Sequence, residues 1–238
     1  MLIDFHSHIL PGIDDGSPDL DCTEALLREE IRQGVEIVCA TPHFYASHVS
    51  VHDFLACRKA AYQKTRLMCA ETGIGLRILC GAEVYYFPRM GDAEKLRELT
   101  LGGSDVLLLE MPFAQWTEDV YRDVRKIVEK QRLRVVLAHL ERYFAFQKNK
   151  RVWTDVLNLP VTVQLNAGCV EDRKKRKFAL KVLESDLPVV LGSDCHNLTS
   201  RRPNLAAGRE VLGQKAGASR IDRIDADALA LVAGAASS

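Results

Sequence analysis

The sequence has no excess of charge of either sign. Its 238 residues include 32 Lys and Arg and 32 Asp and Glu, so the formal net charge is zero. A chain without a broad basic field has no general attraction for nucleic acid, and it offers no polybasic segment to an anionic membrane surface. We therefore expect no nucleic acid among its partners. The sequence does not indicate the oligomeric state.

The sequence also lacks the features that direct a chain into or across a membrane. No apolar run approaches the roughly 18 residues of a spanning helix, and the N-terminal residues show no charged leader before an apolar core. We expect no membrane insertion and a cytoplasmic location. The seven cysteines form no Cys-x-x-Cys pair, which favours reduced core thiols over disulfides or a structural zinc site.

Hydrophobic residues make up 47% of the chain, which is enough to bury a sizeable core. Apolar strand-like runs alternate with amphipathic stretches, and this alternation predicts a parallel α/β sheet. Seven strands are predicted, in the apolar run that ends at His6 and at residues 35–40, 76–82, 105–109, 134–138, 161–165 and 188–191. We expect a distorted seven-stranded (β/α) barrel, one domain over residues 1–238 with a frayed tail at 233–238.

Cap residues predict where the intervening helices begin and end. Ser17-Pro18 predicts the start of the first helix, and Ser50 predicts the start of a long helix that stops near Gly73. Further helices are predicted at residues 117–131, 173–184, 204–212 and 225–232.

Side chains that can bind metal ions follow the predicted strand ends. His6 and His8 are two residues apart, so in an extended backbone both imidazoles point to the same side, about 7 Å apart. In (β/α) barrels the active site lies at the carboxyl ends of the strands. Eight candidate ligands lie at or just after such ends: His6, His8, His43, Glu83, Glu110, His139, Asp194 and His196. Imidazoles and carboxylates without thiolate suit manganese, iron or zinc.

Five motifs together carry a family resemblance. They are His6-Ser7-His8, Asp14-Asp15-Gly16, Gly81-Ala82-Glu83-Val84-Tyr85-Tyr86, His139-Leu140-Glu141-Arg142-Tyr143 and Ser193-Asp194-Cys195-His196-Asn197-Leu198. The set resembles the polymerase and histidinol phosphatase (PHP) family of metal-dependent phosphoesterases. More narrowly, it resembles the bacterial tyrosine-protein phosphatases of capsule and exopolysaccharide gene clusters. The matches extend from residue 3 to about residue 203.

The resemblance implies a division of the ligands among three metal ions. His6, His8, Glu83 and Asp194 would hold the first; Glu83, as a bridge, with Glu110 and His139 the second; and Asp15, His43 and His196 the third. Asp15 matches the family ligand, and Asp14 is expected to support the turn or a ligand. The resemblance also implies that Arg142 and Arg201 bind phosphate, although Arg142 can instead pair with a neighbouring carboxylate such as Glu141, and Arg202 can replace Arg201.

The implied function is metal-dependent hydrolysis of phosphotyrosine by attack of a metal-activated hydroxide. Two or three divalent ions are expected, with manganese preferred over iron or zinc. The implied substrate is the phosphorylated tail of a bacterial tyrosine kinase that regulates capsule or exopolysaccharide synthesis. Two alternatives stay open: a phosphatase for a small monoester such as histidinol phosphate or a sugar phosphate, and a non-catalytic metal-binding regulatory module.

Three other features have more than one interpretation. Cys195 and Arg201 fit the Cys-x5-Arg spacing of cysteine-dependent phosphatases, but the five residues between them include no glycine to form a phosphate loop. The basic run from Arg173 to Lys177 is either a solvated helix start or a docking surface for an acidic partner. Aromatic residues after strand ends, namely Tyr85, Tyr86, Phe87, Phe113 and Trp116, form either a rim for a phenyl ring or part of the core.

Overall fold

The computed structural model describes residues 1–235. Residues 236–238 of the predicted frayed tail lie outside the described residues. At the end of the described chain, Ala235 is buried, and its carbonyl accepts a hydrogen bond of 2.7 Å from Arg77.

Strands and α-helices alternate along the described chain. The strands are β1 (Leu2–Ser7), β2 (Val35–Ala40), β3 (His43–Phe44), β4 (Arg77–Cys80), β5 (Glu83–Tyr85), β6 (Val106–Glu110), β7 (Arg134–Leu137), β8 (Thr162–Asn166) and β9 (Val189–Gly192). The helices are α1 (Leu20–Arg32), α2 (Val51–Thr72), α3 (Glu118–Glu129), α4 (Arg151–Leu157), α5 (Arg173–Leu183), α6 (Leu205–Ala216) and α7 (Ala218–Val232). No helix within residues 1–235 is long and apolar enough to cross a bilayer.

The predicted α/β fold with parallel strands is confirmed, but the closed seven-stranded barrel is not. Every ladder between the described strands is parallel. The ladders form two sheets, one in the order β1-β2-β4 and the other in the order β3-β5-β6-β7-β8-β9. An isolated bridge between Ser7 and Cys195 joins the end of β1 to the segment after β9.

Two short strands, β3 and β5, were not predicted and lie just beyond the predicted strands at residues 35–40 and 76–82. Thr41 and Pro42 separate β2 from β3, and Gly81 and Ala82 separate β4 from β5. Proline has no N–H to donate to a ladder, so the pairing that continues through Ala40 cannot continue at Pro42. The backbone N–H of Glu83 bonds instead to the carbonyl of Pro42, at 3.0 Å. After this break in the pairing, His43 and Glu83 belong to the second sheet, where they are direct partners in the ladder between β3 and β5.

Alternate residues of the strands contribute to two apolar clusters. The larger cluster joins the strands to the surrounding helices and includes Val38, Leu109 and Leu165. The smaller one joins the strands to α7 and includes Phe5 and Val136. Because parallel strands with covered faces are buried on both sides, these strands are nearly continuous runs of hydrophobic residues.

The helix boundaries follow the predicted caps with four corrections, one of which is that α6 ends at Ala216 rather than at residue 212. Ser50 caps α2 and Gly73 ends it in the left-handed conformation, as predicted. The first helix begins at Leu20 rather than at Ser17-Pro18, because Asp19 supplies the cap by accepting from the backbone N–H of Cys22. The last helix begins earlier than predicted, at Ala218, and α4 was not predicted because it is only seven residues long.

Candidate metal centre

The nine residues predicted as metal ligands converge at the carboxyl ends of the parallel strands. His6 lies near the end of β1, Glu83 begins β5 and Glu110 ends β6. Ligand atoms form four overlapping groups, and within each group all atoms lie within 4.8 Å of one another. The groups are His6, His8 and Asp194; His6, Glu83 and His139; His43, Glu83 and Glu110; and His8, Asp15, His43 and His196. Residues distant in sequence thus form one cluster.

Glu83 is fully buried in the middle of this cluster and contacts four imidazoles. Its Oε1 lies 2.7 Å from Nε2 of His139. Its Oε2 lies 2.9 Å from Nδ1 of His43 and 3.2 Å from Nε2 of His6. The same oxygen lies 3.3 Å from Nε2 of His8. The two oxygens of one carboxylate therefore face different histidines, as expected of a group that bridges two metal ions.

Asp194 contacts both the histidines and the two predicted phosphate-binding arginines. Its Oδ1 lies 3.5 Å from Nε2 of His8 and 3.7 Å from Nε2 of His6. Nη2 of Arg201 donates to the same oxygen at 2.6 Å, and Arg142 donates to Oδ2. Arg202 is exposed. Arg201 is thus the arginine that reaches the cluster, and the carboxylate partner of Arg142 is Asp194 rather than Glu141.

Asp15, His43 and His196 lie at the mouth of the cluster. Oδ1 of Asp15 lies 3.4 Å from Nε2 of His43 and 3.3 Å from Nε2 of His196. The Asp15 side chain is 65% exposed, whereas that of His196 is 1% exposed. Asp14 is not a member of the four ligand groups; its Oδ2 instead bonds to Nδ1 of His8 at 2.7 Å and accepts from the backbone N–H of His43 at 2.9 Å.

Hydrogen bonds to the far side of each ring turn His6 and His8 towards the same point. Nδ1 of His8 bonds to Asp14, and Nδ1 of His6 bonds to Oε1 of Gln164 at 3.1 Å. The Nε2 atoms of the two rings then lie only 3.0 Å apart. Metal-binding histidines are commonly oriented in this way by a partner on the other ring nitrogen.

Gln164 was not identified from the sequence, although it connects three parts of the cluster. Its Oε1 also accepts from the backbone N–H of His139 at 2.6 Å. Its Nε2 donates to Oδ1 of Asn166, and Nδ2 of Asn166 donates to Oδ2 of Asp194, both at 2.8 Å. The signal was present, because Gln164 and Asn166 are amide side chains two residues apart in β8 and so lie on one face of the strand.

The backbone beside the cluster takes conformations that few residues tolerate. His139 and Asp194 both have positive φ, 31° and 55°, which is uncommon outside glycine and often marks a functional site. Two glycines allow close approach to the histidines. A Cβ on Gly16 would lie 2.2 Å from the carbonyl oxygen of His8, and one on Gly192 would lie 2.6 Å from Cβ of His6. Any larger residue at either position would displace a histidine.

Opposite charges determine the ionisation of the buried groups. Burial is the largest single influence on His8 and lowers its pKa, but the hydrogen bonds and charges of Asp14 and Glu83 together outweigh burial and raise this pKa to about 10. The charges of Glu83 and Asp194 likewise raise the pKa of His6. Burial is also the largest single influence on Glu83 and Asp194 and raises the pKa of each. The charge of His6, together with the other histidines around Glu83 and with Arg142 beside Asp194, outweighs burial and holds both pKa values below the ordinary value. Positive charge at this place therefore stabilises the cluster.

The donor set fits divalent metal ions. Oε2 of Glu83, Oε2 of Glu110 and Nε2 of His196 are buried. Ligand atoms of neighbouring residues lie within 4.0 Å of each, but none of these contacts among residues 1–235 has the geometry of a hydrogen bond. Unpaired buried polar atoms are costly unless something binds them. Burial and then the charge of Glu83 raise the pKa of Glu110 to about 8, so a cation is needed before both carboxylates ionise at neutral pH. Imidazole nitrogens and carboxylate oxygens are ligands of first-row divalent metals.

Cys195 is unsuited to be a nucleophile. Its side chain is fully buried, and its Sγ lies 3.8 Å from Oε1 of Glu30. Burial, followed by the charges of Glu30 and Asp4, raises the pKa of its thiol well above the ordinary value. Because only a thiolate attacks phosphorus efficiently, the Cys-x5-Arg spacing does not form the phosphate loop of a cysteine-dependent phosphatase.

The aromatic residues after the strand ends separate into rim and core. Phe113 is 40% exposed and stacks on His139, with ring centroids 6.0 Å apart. Trp116 is buried and stacks on Trp153 at 4.9 Å. The hydroxyl of Tyr86 donates to a carboxylate of α3. Phe113 thus lies at the mouth of the cluster, whereas Trp116 belongs to the core.

Comparison with known proteins connects this geometry to a family. Residues 2–230 match the family model described as capsular polysaccharide synthesis, CpsB/CapC. Tyrosine-protein phosphatase CpsB of Streptococcus pneumoniae is 29% identical over 235 residues, which cover 95% of this chain and 96% of that protein. Tyrosine-protein phosphatase YwqE of Bacillus subtilis is 27% identical over 223 residues, covering 91% and 85%.

One solved structure has the same fold as this chain over almost the whole length of both chains. It belongs to crystallographic work on YwqE of Bacillus subtilis and CpsB of Streptococcus pneumoniae, described there as unique metal-dependent tyrosine phosphatases. The TM-score is 0.87, with 22% identity and coverage of 99% of this chain and 96% of that one. At this level of identity the match establishes a shared fold.

Proposed function

Because this chain belongs to the CpsB/CapC family of capsular polysaccharide synthesis, we propose that it is a metal-dependent protein-tyrosine phosphatase. The reaction is hydrolysis of a phosphoric monoester, in which phosphotyrosine and water give tyrosine and phosphate. The observation that carries the proposal is the convergence of nine imidazole and carboxylate ligands with two arginines at one edge of the strands. The choice of tyrosine rests on the relatives that bear this activity in their names.

The proposed ligands divide as the resemblance implies. His6, His8, Glu83 and Asp194 would hold one divalent ion; Glu83, Glu110 and His139 a second; and Asp15, His43 and His196 a third. We propose two or three ions, with manganese preferred over iron or zinc for this thiolate-free donor set. When bound, such ions acidify a water molecule to give a nucleophile at neutral pH and neutralise charge on the phosphoryl oxygens.

Arg142 and Arg201 would bind the outer oxygens of the phosphoryl group. Both guanidinium groups approach Asp194, and their side chains remain 29% and 34% exposed at the cleft. A guanidinium offers a planar pair of donors that matches the oxygens of a phosphate. By turning one donor to Asp194 and others to the cleft, each arginine can stabilise the negative charge that increases in the transition state.

The remaining residues of the site position these groups. Asp14 and Gln164 fix the rings of His8 and His6, so that each presents Nε2 to the centre. Phe113, stacked beside His139 at the mouth, can pack against the phenyl ring of the substrate. Phenolate has a pKa of about 10 and leaves more readily than an alkoxide, so the chain does not need a dedicated general acid.

We propose that the substrate is the phosphorylated tail of a bacterial tyrosine kinase that regulates capsule or exopolysaccharide synthesis. The family description supports the process, and the names of the relatives support the chemical class of substrate. We also propose that residues 1–238 act as one phosphoesterase domain.

The test is phosphate release from a phosphotyrosyl peptide before and after chelator treatment, followed by addition of manganese. We expect activity to disappear with chelator and to return with metal. Activity that is indifferent to chelator would reject the metal mechanism. A much higher kcat/KM for histidinol phosphate or a sugar phosphate would reject the protein substrate. Full metal binding without turnover of any phosphate ester would instead favour a regulatory module.

A further inference from the structure

A groove of about 750 Å³ lies beside the candidate metal centre, and α5 lines it with Lys174, Lys175, Lys177 and Lys181. We call it the lysine groove. All four lysine side chains are exposed. Three of them, at positions 174, 177 and 181, are spaced three and four residues apart, so they share one face of the helix. Three residues of the basic run, Lys174, Lys175 and Lys177, therefore line one concave surface together with Lys181.

The acidic residues that line the groove do not cancel this charge. Asp172 caps α5, where its Oδ1 accepts from the backbone N–H groups of Lys174 and Lys175 at 2.7 and 2.8 Å. Glu141 is buried, with 6% of its surface exposed. The groove thus offers several lysines to solvent against one engaged and one buried carboxyl group, so it is complementary to an anionic ligand.

Exposed aromatic rings complete the groove. Phe144 and Phe146, from the segment after β7, are 46% and 43% exposed, and Phe113 joins them at the mouth of the metal centre. The ring of Phe144 packs on that of Phe178 at 4.9 Å, and the rings of Phe113 and Phe146 lie 6.1 Å apart. Contiguous exposed apolar side chains within a concave surface are typical of a binding site.

The groove is continuous with the metal centre. Arg142 lines the groove and also donates to Asp194. Phe113 lines the groove and also stacks on His139. A ligand that places one group between Arg142 and the metal ligands can therefore extend its neighbouring atoms along α5.

We propose that the lysine groove binds an acidic peptide segment adjacent to the scissile phosphotyrosine, with Lys174, Lys177 and Lys181 paired to carboxylates and the exposed phenylalanines packed against apolar side chains. The proposal rests on the proposed function, which brings a phosphotyrosine to the neighbouring cleft. The combination of lysines with aromatic rings favours a peptide, because its side chains supply both carboxylate and apolar groups. It also makes the enzyme selective among phosphotyrosyl sites.

The experiment compares two phosphotyrosyl peptides of equal length, one flanked by Asp and Glu and the other by Asn and Gln. Wild-type enzyme with manganese should prefer the acidic peptide about tenfold in kcat/KM, mainly through KM, which is what three partly exposed ion pairs can supply. The combined variant Lys174→Gln, Lys177→Gln, Lys181→Gln should reduce this preference to about twofold or less. Raising the salt concentration should reduce the wild-type preference in the same way.

A matched variant controls for the change in net charge. Lys59→Gln, Lys64→Gln and Lys215→Gln remove three exposed lysines from α2 and α6, and this variant should keep the wild-type preference. Lys175 is left in place because it also lines the cavity that contains Asp194 and Arg201.

Two further outcomes separate this inference from the proposed function. Equal preference for the acidic peptide in wild type and in the α5 variant would reject the peptide-binding role of the lysine groove, but it would not contradict the proposed phosphatase activity. If neither peptide is hydrolysed, fluorescence anisotropy of the labelled acidic peptide still tests the groove, and equal affinity for wild type and the α5 variant would reject it. Competition by dextran sulfate as strong as that by the peptide, at equal charge, would also reject a peptide site.

Discussion

Two pairs of buried carboxyl side chains lie close together in this molecule, and their pKa values are shifted in opposite directions. In the metal centre, Glu83 and Asp194 are buried among histidines and arginines, and the pKa of each is lowered. Between β1 and α1, Asp4 and Glu30 are equally buried, but the pKa of each is raised. Burial is the largest influence on all four groups and always raises the pKa, so burial alone does not explain the difference.

The cations that face each carboxyl explain it. Asp194 has Arg142, Arg201 and the imidazoles of His6 and His8 within 4 Å. Asp4 instead accepts from the neutral backbone N–H groups of Ser193 at 2.8 Å and His6 at 3.1 Å, and its side chain also bonds to Ser193 and Glu30.

Glu30 faces the carboxyl group of Asp4 and the thiol of Cys195. The charge of Asp4 adds to burial in raising its pKa. We infer that the Asp4 and Glu30 pair retains a proton and has a structural role. Glu83 and Asp194 of the metal centre are instead ionised and can bind cations.

Removing a carboxylate from the metal centre should have the largest effect. Asp194→Asn keeps the shape but removes the charge that faces two histidines and two arginines. We expect kcat/KM to fall by more than about 100-fold, which exceeds the effect of losing a partner outside the ligand set. Glu30→Gln, the matched change in the other pair, should keep activity within about threefold. Measured metal content should fall with Asp194→Asn alone, and similar losses in both variants would contradict the distinction.

Gln164→Leu should have the next largest effect. It removes the hydrogen bond that orients His6 and the link through Asn166 to Asp194, without removing a ligand. Manganese affinity, measured by calorimetry or by metal titration of activity, should fall about 10- to 100-fold. High manganese should restore much of the activity. Gln63→Leu, at an exposed position on α2, is the control, and an unchanged affinity in Gln164→Leu would show that the Gln164 link is not needed.

The pH dependence of stability should distinguish Glu30 from the metal centre. A carboxyl whose pKa is raised in the folded state binds its proton more tightly than in the unfolded chain, so its contribution to stability decreases as pH rises above the unfolded value of about 4.5. Glu30→Gln cannot ionise and should escape this loss. The melting temperature of the variant relative to wild type should therefore increase between pH 5 and pH 8. A constant difference would mean that Glu30 titrates normally.

Cys195→Ser should have the smallest effect on activity. The buried thiol contacts Glu30 rather than the cleft, and a hydroxyl can donate to the same carboxyl group. We expect kcat/KM within about twofold of wild type, because the substitution keeps this contact. A loss comparable to that of Asp194→Asn would restore the thiolate mechanism. Circular dichroism would confirm that both variants remain folded.

Much of the site followed from residue types at predicted strand ends. The patterns of hydrophobicity place β2 at residues 35–40 as predicted, and β6 to β9 within one residue or two of their predicted limits. Because parallel strands share one carboxyl edge, the ligands after them had to meet. The resemblance added Asp15, whose exposed position at the mouth no strand pattern indicates.

The sequence by itself determined the parallel α/β class, the edge where the ligands gather and the family, because hydrophobic period and local motifs are properties of neighbouring residues. Only the tertiary structure decided that two strands break at Pro42 and Gly81, that Gln164 orients His6, that Arg142 and Arg201 share Asp194, and that the lysines of α5 line a groove beside them. These features depend on distances between residues far apart in the chain. Such distances are fixed by packing and hydrogen bonding, which no local pattern encodes.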